Sequence, residues 1–208
     1  MKDTLKNWLL PVTIVSLLVL PPTASAAKGP SQSLRSTNNR IHGLLKKKVP
    51  KGSSKETRQK AKLTRLINQF LDFNELARRS LGKHWPKRSA AEQKEFVDVL
   101  RQLIEHNYLK QLRSNLDYKV EYRSERVKGD KARVTTAILV MKNRREEEIV
   151  VEYKMLRVKR AWMVYDVVTD DVSIVRNYRS QFNRIIKKKS YKALLEKMRK
   201  KLHKLQAA

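Results

Sequence analysis

The sequence contains no cysteine. Disulfides, cysteine-ligated metals and thiol catalysis are therefore excluded, and the fold must draw its stability from burial. Acidic residues are scarce: 20 Asp and Glu stand against 48 Lys and Arg, for a net charge of +28. No apolar run is long enough to span a membrane, since the one at residues 8–20 has a core of about 13 residues against the roughly 20 required. There is no G-x-S-x-G elbow, P-loop or G-x-G-x-x-G, so acyl transfer and nucleotide use have no foothold. His42, His84, His106 and His203 show no H-x-x-x-H spacing and no acidic partner pattern, which argues against a metal site, and no cofactor is implied.

What is present begins with Lys2 and Lys6 ahead of that short apolar run, followed by Ala24-Ser25-Ala26. This is the form of a cleaved secretory signal, residues 1–26. It leaves roughly 182 residues, 27–208, enough for a single domain with a sizeable core. So basic a chain calls for a polyanionic partner, and nucleic acid is the usual one. Export moves the expected partner away from nucleic acid to the envelope, where each Lys or Arg near an anionic membrane contributes about 1 kcal/mol. Any single lysine is simply a solvated surface residue.

Along the chain, residues 28–36 read as a flexible polar lead into a short helix at 38–48. Ser53 and Glu56 form a capping box for a second helix bearing Leu63, Leu66, Ile67 and Phe70. Asp72 opens a third that Gly82 ends, and Ser89 with Glu92 opens the longest, to about residue 114, with a wide stripe of Phe96, Leu100, Leu103 and Tyr108. Residues 27–115 are thus mostly helical. At 117 the apolar period changes from 3.6 to 2, and four consecutive strands up to 169, or five, form an antiparallel sheet. Helices fill 172–206. The last of them sets Leu194, Met198, Leu202 and Leu205 against a face of Lys and Arg, which suits packing on its own domain better than lying on a membrane. The fold class is α+β.

The organising stretch is residues 161–186. A strand of aromatic and β-branched residues breaks at Asp170-Asp171, Ser173 can cap the next helix, and Ile174, Tyr178, Phe182 and Ile185 recur along it at helical spacing. Asp166 beside Tyr165 fits a structural hydrogen-bonding role better than an acid in a cleft. The aromatic residues are spread over helices and sheet, each a core candidate alone, and together able to line an elongated apolar cavity of the kind that holds a lipid.

The segments DFNELARRSLGKHW (72–85), EQKEFVDVLRQLIEHNYL (92–109), KGDKARVTT (128–136) and, above all, WMVYDVVTDDVSIVRNYRSQFNRIIKKKSYKALLEKMRKK (162–201) resemble the MlaC, or toluene-tolerance, family of periplasmic lipid carriers. The resemblance implies a curved nuclear-transport-factor-like sheet wrapped by helices, with phospholipid acyl chains between them. It also implies a monomeric, non-enzymatic shuttle between an outer-membrane lipoprotein complex and an inner-membrane ABC transporter. Carried over as lipid-contacting residues are Phe73, Leu76 and Trp85 in the helical block, and Tyr153, Trp162, Val164, Ile174, Tyr178 and Phe182 on the sheet and the helix after it. The long-helix stripe adds Phe96, Leu100, Leu103 and Tyr108, and the third strand adds Val151 and Met155. Two departures stand out: Asp171 where the family commonly has glycine before V-S, and the high positive charge. The alternatives are a carrier of another envelope lipid such as a hopanoid, a small enzyme using Asp166, and a basic exported polyanion-binding protein.

Overall fold

Five antiparallel strands follow one another across a single sheet: β1 (Tyr118–Lys128), β2 (Lys131–Lys142), β3 (Arg145–Val158), β4 (Ala161–Thr169) and the short β5 (Val172–Ser173). The computed structural model describes residues 28–114, 118–142 and 145–207. The segment expected to be an export signal lies outside them. Among the described residues no helix is long and apolar enough to cross a membrane.

The expected alternation is realised with two irregularities. Bulges sit between Tyr122 and Ser124 against β2, and between Lys154 and Met155 against β4. Each adds local twist and bends its strand, which curves the sheet. The turns use left-handed backbone: Gly129 at φ 58, Lys159 at φ 57, and both Asp170 and Asp171 at φ 48 and 61. Two positive φ values in a two-residue hairpin match the right-handed strand twist. Asp, unlike a β-branched residue, tolerates that conformation.

Helices form where local caps direct them. In α2 (Ser54–Phe70) the Ser53 hydroxyl accepts from Glu56 N at 3.2 Å, and in α3 (Phe73–Leu81) Asp72 accepts from Glu75 N at 2.9 Å. The Ser89–Glu92 box of α4 (Ala90–Ser114) closes in both directions, at 2.8 and 3.2 Å. Ser173 and Ser190 cap α5 (Ile174–Lys188) and α6 (Tyr191–Gln206). A 3-10 turn, Gly82–Lys87, follows α3.

One expectation fails at the start. Helix α1 spans Pro30–Leu45, so the stretch read as a flexible lead is already helical. Proline at its first position is pre-set for a helix, and Leu34, Ile41 and Leu45 make a narrow buried stripe within an otherwise polar run.

Three apolar clusters result. The largest lies among α3, α4, α5 and α6, a bundle beside the β4 edge of the sheet. The second sits on the inner sheet face, where Leu34 of α1 and Phe70 of α2 cover Ala132, Val134, Met155, Trp162 and Val164. The third joins α1 to α2. On the outer face Lys119, Glu121, Arg123 and Glu148 form a chain of exposed ion pairs, each worth little to stability.

Candidate lipid-binding site

The inner face of the sheet is apolar well beyond the packed cluster. Directly opposed residues share a face, so the pairs Tyr118↔Val140, Val120↔Ile138 and Tyr122↔Thr136 continue onto Ile149 and Val151 of β3 as one row. Val140 and Val151 are buried and the rest of the row is largely half-buried. Helix α1 lies along its β1 edge. Asn38 donates to the Tyr122 hydroxyl at 3.1 Å, the Arg35 guanidinium stands 4.0 Å over the Tyr122 ring, and His42 meets Tyr118 edge-on at 5.5 Å. Burial pushes the phenols of Tyr118 and Tyr122 up, so both present neutral aromatic surface.

Sheet and bundle meet at Leu71, in the joint between α2 and α3. Its side chain packs against both large clusters. The backbone there docks on the strand edge, with Leu71 bridged to Val164 and Asp72 N donating to Val164 O at 2.8 Å. A surface groove of about 510 Å³ opens at this seam, with Leu71, Phe73, Trp85, Val97 and Met163 as its apolar wall and Asn68, Lys94 and Arg101 among its polar residues. The Asn68 Oδ1 is buried without a hydrogen-bond partner among the described residues, an acceptor available to a donor entering the groove.

The corner from β4 into α5 is held by Asp166, 4% exposed. Its Oδ1 accepts from Val175 N at 3.1 Å, and its Oδ2 accepts from Ser173 Oγ at 2.8 Å and from Lys154 Nζ at 3.1 Å. This is the structural role expected of it. Both carboxylate oxygens are thus engaged by donors of the protein itself.

Among the described residues, the candidates divide between two apolar clusters. Phe73, Leu76, Phe96, Leu100, Leu103 and Phe182 are buried in the bundle, with Trp85 and Tyr178 half-buried against them. Met155, Trp162 and Val164 belong to the sheet cluster, with Tyr153 against it, and Val151 lies on the same sheet face. The two clusters meet at Leu71, which packs against both. Tyr108 lies outside the described side chains. Ile174 is 39% exposed, whereas Val175 is 3% exposed and takes the inward place. Both are apolar at adjacent positions, and the Asp166 hydrogen bond to Val175 N fixes which one turns inward.

The MlaC protein family model matches residues 35–200. The chain belongs to the MlaC family. The intermembrane phospholipid transport system binding protein MlaC of Haemophilus influenzae is 20% identical over 197 residues, covering 93% of this chain and 92% of that one. The phospholipid-binding protein of Ralstonia solanacearum, solved in complex with a phospholipid, matches with a TM-score of 0.68 at 18% identity. That match covers 84% of this chain and 97% of the other, and it shows a shared fold.

Within this MlaC-family chain, sequence reasoning missed the residues at joints and under the first helix: Leu34, Asn68, Leu71, Met163 and Val175. Leu34 had a usable signal, its spacing to Ile41 and Leu45 behind an N-terminal proline. Leu71 had none, because a single leucine between two helices carries no period.

Proposed function

We propose that this MlaC-family protein is a periplasmic carrier that holds phospholipid acyl chains against the inner face of its sheet and passes the lipid between an outer-membrane lipoprotein complex and an inner-membrane ABC transporter. The observation that carries this reading is the apolar row from Tyr118 to Val151, which extends the inner face of the sheet beyond the packed cluster, in a chain of this family. The names of the two relatives, one a phospholipid transport binding protein and one bound to a phospholipid, favour phospholipid over other envelope lipids. Residues 1–26 act as the export signal and residues 27–208 as one lipid-binding unit.

Magnitudes assign the affinity to the tails. Each buried methylene contributes about 0.8 kcal/mol, so a dozen give on the order of 10 kcal/mol. A wet ion pair to the headgroup adds about 1 kcal/mol or less. Headgroup selectivity is accordingly loose. Cargo entry requires the bundle and sheet clusters to part, and Leu71, which touches both, is where they do so. Tail binding of this strength makes spontaneous release slow, so a partner must open the seam. The engaged state of Asp166 favours a carrier over an enzyme.

The test is organic extraction of the purified protein followed by lipid mass spectrometry. About one phospholipid per chain is expected, whereas protein that neither retains lipid nor takes it up from vesicles sinks the proposal.

A further inference from the structure

Helices α5 and α6 carry strongly one-sided charge, as do α1 and α2, where residues 28–65 hold twelve Lys and Arg and one Glu. Residues 174–206 hold twelve Lys and Arg and one Glu, a net of eleven positive charges. In contrast, residues 118–158, which contain β1 to β3, hold eleven Lys and Arg against seven Asp and Glu, for a net of four. All twelve cations of residues 174–206, eleven on the two helices and Lys189 in the joint between them, are exposed. The apolar stripe of α6, including Leu194, Met198 and Leu202, is buried in the bundle, so the helix is already committed on that side. Those cations are also poorly neutralised. Arg176 and Arg179 donate to the backbone carbonyls of Asp171 and Arg79, both at 2.8 Å, which fix the guanidiniums without cancelling charge. Of the twelve, Arg199 is paired, with Glu95.

We infer that the α5–α6 surface is an electrostatic attachment site for an anionic phospholipid bilayer. Three features favour a bilayer over an acidic protein. Eight of the twelve cations are lysines, a residue depleted from protein interfaces, where Arg and aromatic anchors dominate. The one large apolar residue exposed on the two helices is Ile174, among the described residues, so there is no hydrophobic centre for a protein hot spot. Flexible ammonium groups spread over two helices suit a fluid layer of phosphates, to which each adds roughly fivefold in attachment. Binding is peripheral, without insertion, because α6 keeps its apolar face inside the bundle.

The surface does not depend on what the protein carries, so it stands or falls separately from the cargo reading. Co-sedimentation with vesicles of phosphatidylcholine alone, or mixed with phosphatidylglycerol, tests it using the mature chain. Attachment is expected only with phosphatidylglycerol and should weaken steeply as ionic strength rises. Combined Lys188→Glu, Lys197→Glu, Lys200→Glu and Lys201→Glu should weaken it at least about tenfold. The charge-matched control, Arg126→Glu, Lys128→Glu, Lys131→Glu and Arg160→Glu on the exposed β-turns, should change it less than about threefold, with circular dichroism showing both variants folded. Equal losses in the two variants would assign the effect to net charge and overturn the inference. Failure to attach to phosphatidylglycerol vesicles at low salt overturns it as well.

Discussion

Asp166 accepts a 2.8 Å hydrogen bond from Ser173, and through that contact the end of the sheet sets the start of α5. The same hydroxyl accepts from Arg176 N at 3.0 Å as the helix cap, so strand, turn and helix share one network. Asp166→Ala leaves Lys154 and Val175 N unpaired in a buried place and should cost about 3 kcal/mol, read as a lowered urea midpoint. Where the variant is still folded, lipid transfer should be unchanged. A selective loss of transfer would mean the carboxylate acts on the cargo.

At Asp171 the backbone has φ 61, which glycine adopts freely. Asp171→Gly should be neutral or stabilising by up to about 1 kcal/mol, while Asp171→Val should destabilise by about 1–2 kcal/mol. Thermal unfolding of both variants checks the order. A more stable valine variant would contradict the turn geometry.

Acid should weaken the fold through Glu75. Its hydrogen bond from Arg78, then that from Arg79, outweighs burial and holds the carboxyl below its ordinary value of 4.5. A depressed folded pKa stabilises above the unfolded value, and that contribution disappears as pH falls through the folded one. Glu75→Gln should therefore cost stability at pH 7 and much less at pH 3, on the order of the pH at which the unfolded carboxyl is protonated. Equal losses at the two pH values would remove Glu75 from the acid limb.

The seam gives a kinetic prediction. Leu71→Ala removes a half-buried contact shared by both clusters and should cost about 1–3 kcal/mol. On the proposal that cargo enters where those clusters part, spontaneous dissociation of a fluorescent phospholipid should become faster. Slower or unchanged dissociation in the folded variant places the opening elsewhere.

How much of the molecule was legible depends on the range of the forces involved. Caps at Ser53, Asp72, Ser89 and Ser173 act within four residues and could be read directly. So could the strands, whose alternation is local. The beginning of α1 was hidden because its face against the sheet needs little more than Leu34, Ile41 and Leu45, and its remaining surface is polar. The division of the candidates between bundle and sheet could not be read. An apolar stripe such as Phe96 to Leu103 shows that a helix is buried, but not which layer buries it. Leu71 and Asn68 acquire their meaning only when α2 docks on β4, and the choice of Val175 over Ile174 rests on a hydrogen bond from nine residues upstream.

The central claim is that hydrocarbon lies against the inner face of the sheet and enters at the seam with the bundle, and two tryptophans report on it. Beyond the expected signal segment the chain has Trp85 at the seam and Trp162 on the inner sheet face. Loading the mature protein with a phospholipid brominated along its acyl chains should quench the fluorescence of both, and Trp85→Phe should leave Trp162 still quenched. Stoichiometric lipid binding with neither tryptophan quenched would contradict the account.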